Sequence, residues 1–421
     1  MARTRLPPHE VADLGLAPVG ASRIAWAAGQ MPVLARIRER FAADRPLDGV
    51  RLGACLHVTA ETANLILALA DGGARVALCS ANPLSTQDDV AAALVYEHGI
   101  DVHALRGEDV DTYVRHVRAI LDAKPNVTVD DGADLLVTAH ARGGAPLKEL
   151  IGGTEETTTG LVRLRRLEAE GKLSCAVLAV NEARTERALN DRHGTGQSAL
   201  DGIVRAAHVL LAGYTLVVVG YGWAGQGIAE RARGAGAAVI VCEIDPLRAL
   251  EARMAGYQVM PALQAAERGD LFVTVTGSRG VLRGEHFARM KDGAVLANAG
   301  HFDVELELEE LRALAVEVRD VRPLIEQYSL KDGRRLNLLA RGRVVNLAAG
   351  EGHPAAVMDV SFALQALCVE HLVGRRGELS AGVQAVPESI DREVATLKLA
   401  ALGVTIDEPT EEQRHYRESW T

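Results

Sequence analysis

Four short polar clusters carry the residue types that move protons. They are Cys55-Leu-His57-Val-Thr59-Ala-Glu61, Asp130-Asp131-Gly-Ala-Asp134, Gly152-Gly-Thr-Glu155-Glu156-Thr157-Thr158-Thr159-Gly160 and Asn298-Ala-Gly-His301-Phe-Asp303. Gly352-His353-Pro354 follows as a later companion. Imidazoles and carboxylates together can give and take a proton at one reacting atom. Each cluster also has a plainer meaning. Asp130-Asp131-Gly is a common turn former, the threonine run can cap a helix, and a histidine can be a satisfied core residue. The recurrence matters more than any one cluster. In α/β sheets, residues just past the carboxyl ends of strands face the ligand crevice.

A fifth stretch binds rather than reacts. After the apolar run Leu216–Val219 come Gly220, Gly222 and Gly225 in the spacing G-x-G-x-x-G. A helical pattern, a second apolar run and Glu243 follow. Gly220 permits the tight turn, Gly222 lets the backbone approach a pyrophosphate, and Gly225 lets helix and strand pack closely. The helix N-terminus offers free N–H groups to phosphate oxygens. Glu243 can accept bonds from ribose hydroxyls and would repel a 2′-phosphate, which favours NAD over NADP. The glycine motif alone is weak, but the ordered set of strand, glycines, helix, strand and acid is specific.

The elements that position these residues follow a βα rhythm. Apolar runs at Val50–Leu56, Ala74–Ser80, Asp101–Leu105, Asp134–Thr138 and Cys175–Val180 alternate with helical patterns. A helical stretch is expected over Ser22–Ala43, with a break at Pro46. The second unit has strands at Leu216–Val219, Val239–Cys242, Leu271–Thr276 and Val295–Ala297, with another around Val344–Leu347. A helix from Pro354 to His371 and a charged tail close the chain. The expected fold class is α/β, with two doubly wound parallel-sheet domains. A Rossmann NAD domain, 191–350, is inserted after a substrate domain, 1–181 plus 354–390, and 391–421 forms a C-terminal arm. Hinges near 181–192 and 349–354 would flank a cleft.

Composition narrows the class. The 421 residues carry a formal charge of −10, which argues against nucleic acid as the main partner. Five scattered cysteines without a C-x-x-C pair read as buried free thiols in a reducing, cytoplasmic compartment. The N-terminus MARTRLPPHE lacks an apolar leader. No apolar run approaches the ~18 residues of a membrane span, so no membrane partner is expected.

The blocks CLHVTAETA, NPLSTQDDVAAAL, DDGAD, GGTEETTTG, GQSALDGI, VVVGYGWAGQG, FVTVTG, MKDGAVLANAGHFDVE and GEGHPAAVMD resemble those of the adenosylhomocysteinases. They span nearly the whole chain, and the ending EEQRHYRESWT is similar to the shorter-tailed members. The resemblance implies catalytic use of tightly bound NAD. The ribose 3′-hydroxyl is oxidised, the C4′ proton is lost, the 5′ thiol leaves, water adds and the ketone is reduced again. It implies His57 as acid/base near C5′, Asp131 as carrier of the C4′ proton and Glu156 as a ribose binder. Thr59, Glu61, His353 and Met358 fall on the substrate side. Thr157, Thr158, Thr159, Asp191, Glu243, Thr276, Asn346 and His301 fall on or beside the cofactor, with His301 also counted as catalytic. A homo-oligomer, tetramer or dimer, is implied as well.

One block departs from that pattern. VNEARTERALNDRHGTGQS has Glu186 where the family has lysine and Asn190 where it has aspartate. Asp191 and His193 replace an asparagine and a tyrosine. The resemblance gives the lysine–aspartate pair the task of handling the 3′-oxygen. Losing one such donor slows reaction roughly a hundred- to a thousandfold. An ionised carboxylate in its place adds about 4 kcal/mol of repulsion at 4 Å with an effective dielectric near 20. Three readings follow: a specialised nucleoside enzyme with altered C4′ or C5′ chemistry, an ordinary hydrolase using another group, or a silent NAD- and nucleoside-binding protein.

Overall fold

The computed structural model describes residues 6–420. Its first seven strands are β1 His9–Glu10, β2 Arg51–Leu56, β3 Arg75–Ser80, β4 Asp101–His103, β5 Val127–Asp130, β6 Gly152–Glu155 and β7 Ala176–Ala179. Then come β8 Thr215–Val219, β9 Ala238–Cys242, β10 Gln258–Val259, β11 Leu271–Thr274 and β12 Val295–Asn298. β13 Ala315–Arg322, β14 Ile325–Leu330, β15 Arg335–Leu339 and β16 Gly382–Ala385 complete the set.

Two sheets result. The first runs β1-β4-β3-β2-β5-β6-β7-β16, and all its pairings are parallel. The second runs β10-β9-β8-β11-β12-β15-β14-β13, parallel except for the last two pairings. Strands inside both sheets are buried on both faces, as the unbroken apolar runs require. Among the consecutive parallel strands the winding reverses between β2 and β5 in the first sheet and between β8 and β11 in the second. These reversals are where an open α/β sheet leaves room for a ligand.

Several sequence expectations need correction. The helical stretch expected over Ser22–Ala43 is two helices, Ala17–Ala28 and Pro32–Asp44. Pro32 lacks the N–H to continue the first and sits where a second can begin. Asp134–Thr138, expected as a strand, lies in the helix Asp134–Arg142. The Asp130 carboxylate at the end of β5 accepts the Leu135 and Leu136 N–H groups at 2.9 and 3.2 Å, satisfying that helix start. The apolar Leu-Leu-Val run is thus a buried helical face. Val344–Leu347 is likewise no strand: Val345–Ala348 is a helical turn, and the sheet is completed by β13, β14 and β15.

Ala355–Gly374 is long and apolar enough to cross a membrane by length and composition, contrary to expectation. Two-thirds of that window, 67%, is buried inside the protein, as befits a core helix of the first sheet. The segment expected as an arm from 391 begins within the helix Glu388–Ala401. Asp391, 8% exposed, accepts the Arg184 and Thr185 N–H groups at 2.8 and 3.1 Å. That helix packs on the first sheet's core through Ile390, Val394 and Leu397, while residues 401–417 are exposed. The five cysteines are free and buried.

Candidate functional site

Both sheet reversals open into one cavity of about 1300 Å³. All the site residues expected from sequence line it, except Gly225, which lies behind the glycine turn. The first sheet brings His57 after β2, Asp131 after β5 and Glu156 after β6. The second brings Gly220 after β8, Glu243 after β9, Thr276 after β11 and His301 after β12.

The proton-moving groups at the first reversal touch one another. His57 Nδ1 lies 2.7 Å from Ser85 Oγ, and its Nε2 lies 3.4 Å from Asp131 Oδ2. Asp131 Oδ1 faces His301 Nδ1 at 3.8 Å and has no hydrogen-bond partner. Burial, with repulsion from His301 adding and attraction to Asp131 opposing, lowers the His57 pKa. Its imidazole is therefore neutral near pH 7 and able to accept a proton. His353 goes further, down to about 4, from burial and the nearby His57. It lies 3.3 Å from Thr195 Oγ1 and 3.5 Å from Asn346 Nδ2.

A second chain of hydrogen-bonded buried side chains, running from Glu186 to Glu156, contains no cation. Residues 186–194 form a π-helical turn, whose wider spiral stacks Glu186, Asn190 and Gly194 on its buried face. Glu186 is 1% exposed and accepts from Asn190 Nδ2, which also reaches Ser361 Oγ at 3.2 Å. Ser361 and Gln365 donate to the two oxygens of Glu156. Glu186 Oε2 and Asn190 Oδ1 remain without partners. Burial above all, then repulsion from Glu156 and Asp191, pushes the Glu186 carboxyl well above the usual range. Burial also raises Glu156 and Asp191, each to about 7.

The threonines and Glu61 serve the walls. Thr157 caps the helix Thr158–Ala169 by accepting the Gly160 N–H at 3.0 Å, and donates to Glu155 at 2.7 Å. Thr158 donates to Asn181 at 2.8 Å. Thr59 caps the helix Ala60–Asp71 through the Thr62 N–H at 3.3 Å. Burial raises the Glu61 pKa beside it.

At the second reversal the glycines have the geometry a dinucleotide needs. Gly220 sits at φ +104° and donates to Cys242 O at 2.8 Å. A Cβ on Gly225 would stand 2.1 Å from Gly220 O, whereas one on Gly222 would meet only Arg248 Nη1, at 3.5 Å. Gly222 thus opens onto the cavity at the start of the helix Trp223–Gly234. Glu243 accepts the Tyr221, Ile244 and Asp245 N–H groups at 2.7, 2.7 and 3.0 Å, which pins its carboxylate at the end of β9. The buried Asn346 Oδ1 has no protein partner. These features fit NAD.

The S-adenosyl-L-homocysteine hydrolase family model matches residues 8–149, and the model of that enzyme's NAD-binding domain matches 191–352. Adenosylhomocysteinase of Thermosynechococcus vestitus is 55% identical over 413 residues, covering 98% of this chain and 96% of its own. The chain belongs to the S-adenosyl-L-homocysteine hydrolase family. The adenosylhomocysteinase of Aquifex aeolicus is 56% identical over 411 residues, with 98% of both chains covered. S-inosyl-L-homocysteine hydrolase of Methanopyrus kandleri is 52% identical, covering 98% of this chain and 97% of its own. As an enzyme of the adenosylhomocysteinase family, the protein has NAD as its cofactor.

Some of what shapes this site escaped the sequence reading. Ser361 and Gln365 lie four apart in the apolar helix Ala355–Gly374, so they share one face. Two polar residues at that spacing in such a helix were the available signal. Glu305, 1% exposed, fixes Thr276 by accepting its N–H and hydroxyl at 2.9 and 2.8 Å. It closes the block MKDGAVLANAGHFDVE, but was not singled out there as a site residue.

Proposed function

We propose that the protein binds an adenosine-type nucleoside beside NAD, as S-adenosylhomocysteine, adenosine or a relative, and oxidises its ribose 3′-hydroxyl. In this reading it is a specialised member whose course at C4′ or C5′ differs from ordinary thioether hydrolysis. The carrying observation is Glu186: a buried carboxyl, bound to Asn190, with its pKa driven upward. Near neutral pH it holds its proton and donates to a sugar oxygen. A neutral donor stabilises developing negative charge less than a cation does, because charge-assisted hydrogen bonds are roughly twice as strong. NAD, when bound, supplies the oxidising power and later returns it. Asp131 carries a proton at C4′, neutral His57 accepts or returns one near C5′, and Glu156 holds a ribose hydroxyl.

Ordinary reversible hydrolysis to adenosine and homocysteine is the second reading. It is supported by the names of the relatives above and by the presence of His57, Asp131, Glu156 and His301. One experiment separates the readings: incubation with adenosine and with S-adenosylhomocysteine in heavy water. The specialised reading expects bound-NADH absorbance and deuterium at C4′, with homocysteine release at least a hundredfold slower than from an ordinary relative. Release at the relative's rate would establish the second reading. Neither absorbance nor deuterium would mark a silent binding protein.

We also propose that 1–181 with 354–390 acts as the nucleoside half and 191–350 as the NAD half, moving about 181–192 and 349–354. A cytoplasmic homo-oligomer, tetramer or dimer, that engages neither nucleic acid nor membrane completes this reading.

A further inference from the structure

At the outer edge of the first sheet, three strands from its reversal, two histidines and several carboxylates converge. β1 is only His9–Glu10, and it lies in register with β4 so that Glu10 faces His103. His116, 1% exposed, comes from the helix Val110–Asp122. One ligand atom each from Glu10, His103 and His116 lies within 4.8 Å of the others. Each ring also has an acid at one nitrogen. Asp101 Oδ1 lies 3.0 Å from His103 Nε2, and Glu108 Oε2 lies 2.7 Å from His116 Nδ1.

These contacts are close but poorly aligned. Neither oxygen of Glu108, whose side chain is fully buried, and neither nitrogen of His116 completes a hydrogen bond. Glu10 Oε1 is held by Arg115 at 2.6 Å, while its Oε2 faces His116 Nε2 at 3.2 Å. We propose that Glu10, His103 and His116 bind a divalent cation of the zinc class, with Glu108 and Asp101 behind the two rings, and that the ion clasps β1 to the sheet.

The chemistry matches that occupant. Imidazole and carboxylate ligands suit zinc, and metal-bound histidines commonly give their second nitrogen to a carboxylate. A tetrahedral zinc needs its ligand atoms about 3.3 Å apart, and side-chain rotation covers the difference. A two-residue edge strand has little pairing of its own, so a cross-link there has structural work to do. The competing occupant is a proton. Burial lowers the His116 pKa, but Glu108 and Glu10 outweigh it and the net shift is upward. The same negative field favours a doubly charged ion.

The test uses the full chain, stripped with a chelator and gel-filtered after addition of CoCl2 or ZnCl2. One retained equivalent per chain, with the visible bands of tetrahedral cobalt, is expected. His103→Gln and Glu10→Gln, at side chains 16% and 42% exposed, should each weaken cobalt binding roughly tenfold or more. The ion should also slow proteolysis within residues 6–12 of the wild-type chain. A His57–Asp131–His301 group in the cavity could also hold an ion, so His301→Gln is the control and should retain the equivalent. No retained cobalt, equal retention by His103→Gln, or loss confined to His301→Gln would each overturn the proposal.

Discussion

Asn190 Nδ2 donates to Glu186 Oε1 across one turn of the π-helical segment 186–194, and the pair is buried within the cavity wall. The pairing explains how a carboxyl survives there. Burial pushes its pKa well above the usual range, and the neighbouring amide satisfies one of its oxygens while Oε2 has no partner.

The double change Glu186→Lys, Asn190→Asp should therefore restore a cation with its orienting acid. Under the specialised reading, homocysteine release from S-adenosylhomocysteine should rise by roughly a hundred- to a thousandfold. An unchanged rate in a folded, NAD-loaded double variant would sink the assignment of Glu186 as the rate-setting difference.

The cavity acids should also leave a mark on stability. Glu156 has a folded-state pKa of about 7, raised by burial. Its unfolded value is near 4.3. The folded chain thus binds more protons between those values, and this group's contribution favours folding below about pH 4.3 and is lost as pH rises toward 7. Neutral buried histidines such as His353 act in the opposite sense, so a difference between variants is the clean measurement. The melting temperature of Glu156→Gln minus that of wild type should grow from pH 4.5 to 7 and then level off. A difference that stays flat, or falls, over that range contradicts a raised Glu156.

The glycines of the nucleotide turn should separate folding from binding. Gly225→Ala drives a methyl against Gly220 O and should destabilise the protein by about 1–3 kcal/mol. Gly222→Ala meets only the end of Arg248 and should leave ligand-free stability within about 0.5 kcal/mol. It should nevertheless lose NAD, read as nucleotide released on denaturation. Full NAD occupancy in Gly222→Ala would show that the cofactor backbone does not approach there.

Asp391 anchors the start of the segment that carries Glu186, through the Arg184 and Thr185 N–H groups. Asp391→Ala leaves those donors unsatisfied and should cost about 1–3 kcal/mol in urea denaturation. A loss below about 0.5 kcal/mol would mean water replaces the carboxylate without strain.

Much of this molecule was readable from its residues, and the two misplaced strands share one cause. The Gly220–Gly225 turn and Glu243 were legible because each local requirement has its own residue type at a fixed spacing. His57 was legible because it follows an apolar run, whereas Asp131 and Glu156 were named from their polar clusters and the family resemblance, and the strands before them, β5 and β6, were not expected. Asp134–Thr138 was misread because a short apolar run suits a buried helix face as well as a strand. Only a long-range fact, the Asp130 carboxylate waiting for the Leu135 and Leu136 amides, decides between them. Val344–Leu347 was misread in the same way: Val344 makes a single parallel bridge to Asn298, and the chain then turns into the helical Val345–Ala348. The partners of Glu156 come from Ser361 and Gln365, some two hundred residues later, and no spacing rule reaches that far.

The two winding reversals open on the same cavity from separately cored sheets. Damage to the packing of one sheet should therefore loosen the ligand it holds and spare the other's. The segments that run between them, 181–194 and 346–353, are anchored one to each: Ala183 lies in the first core and Ala349 packs against the second. Substitutions there are the ones that should change how strongly the occupancy of one half depends on the other.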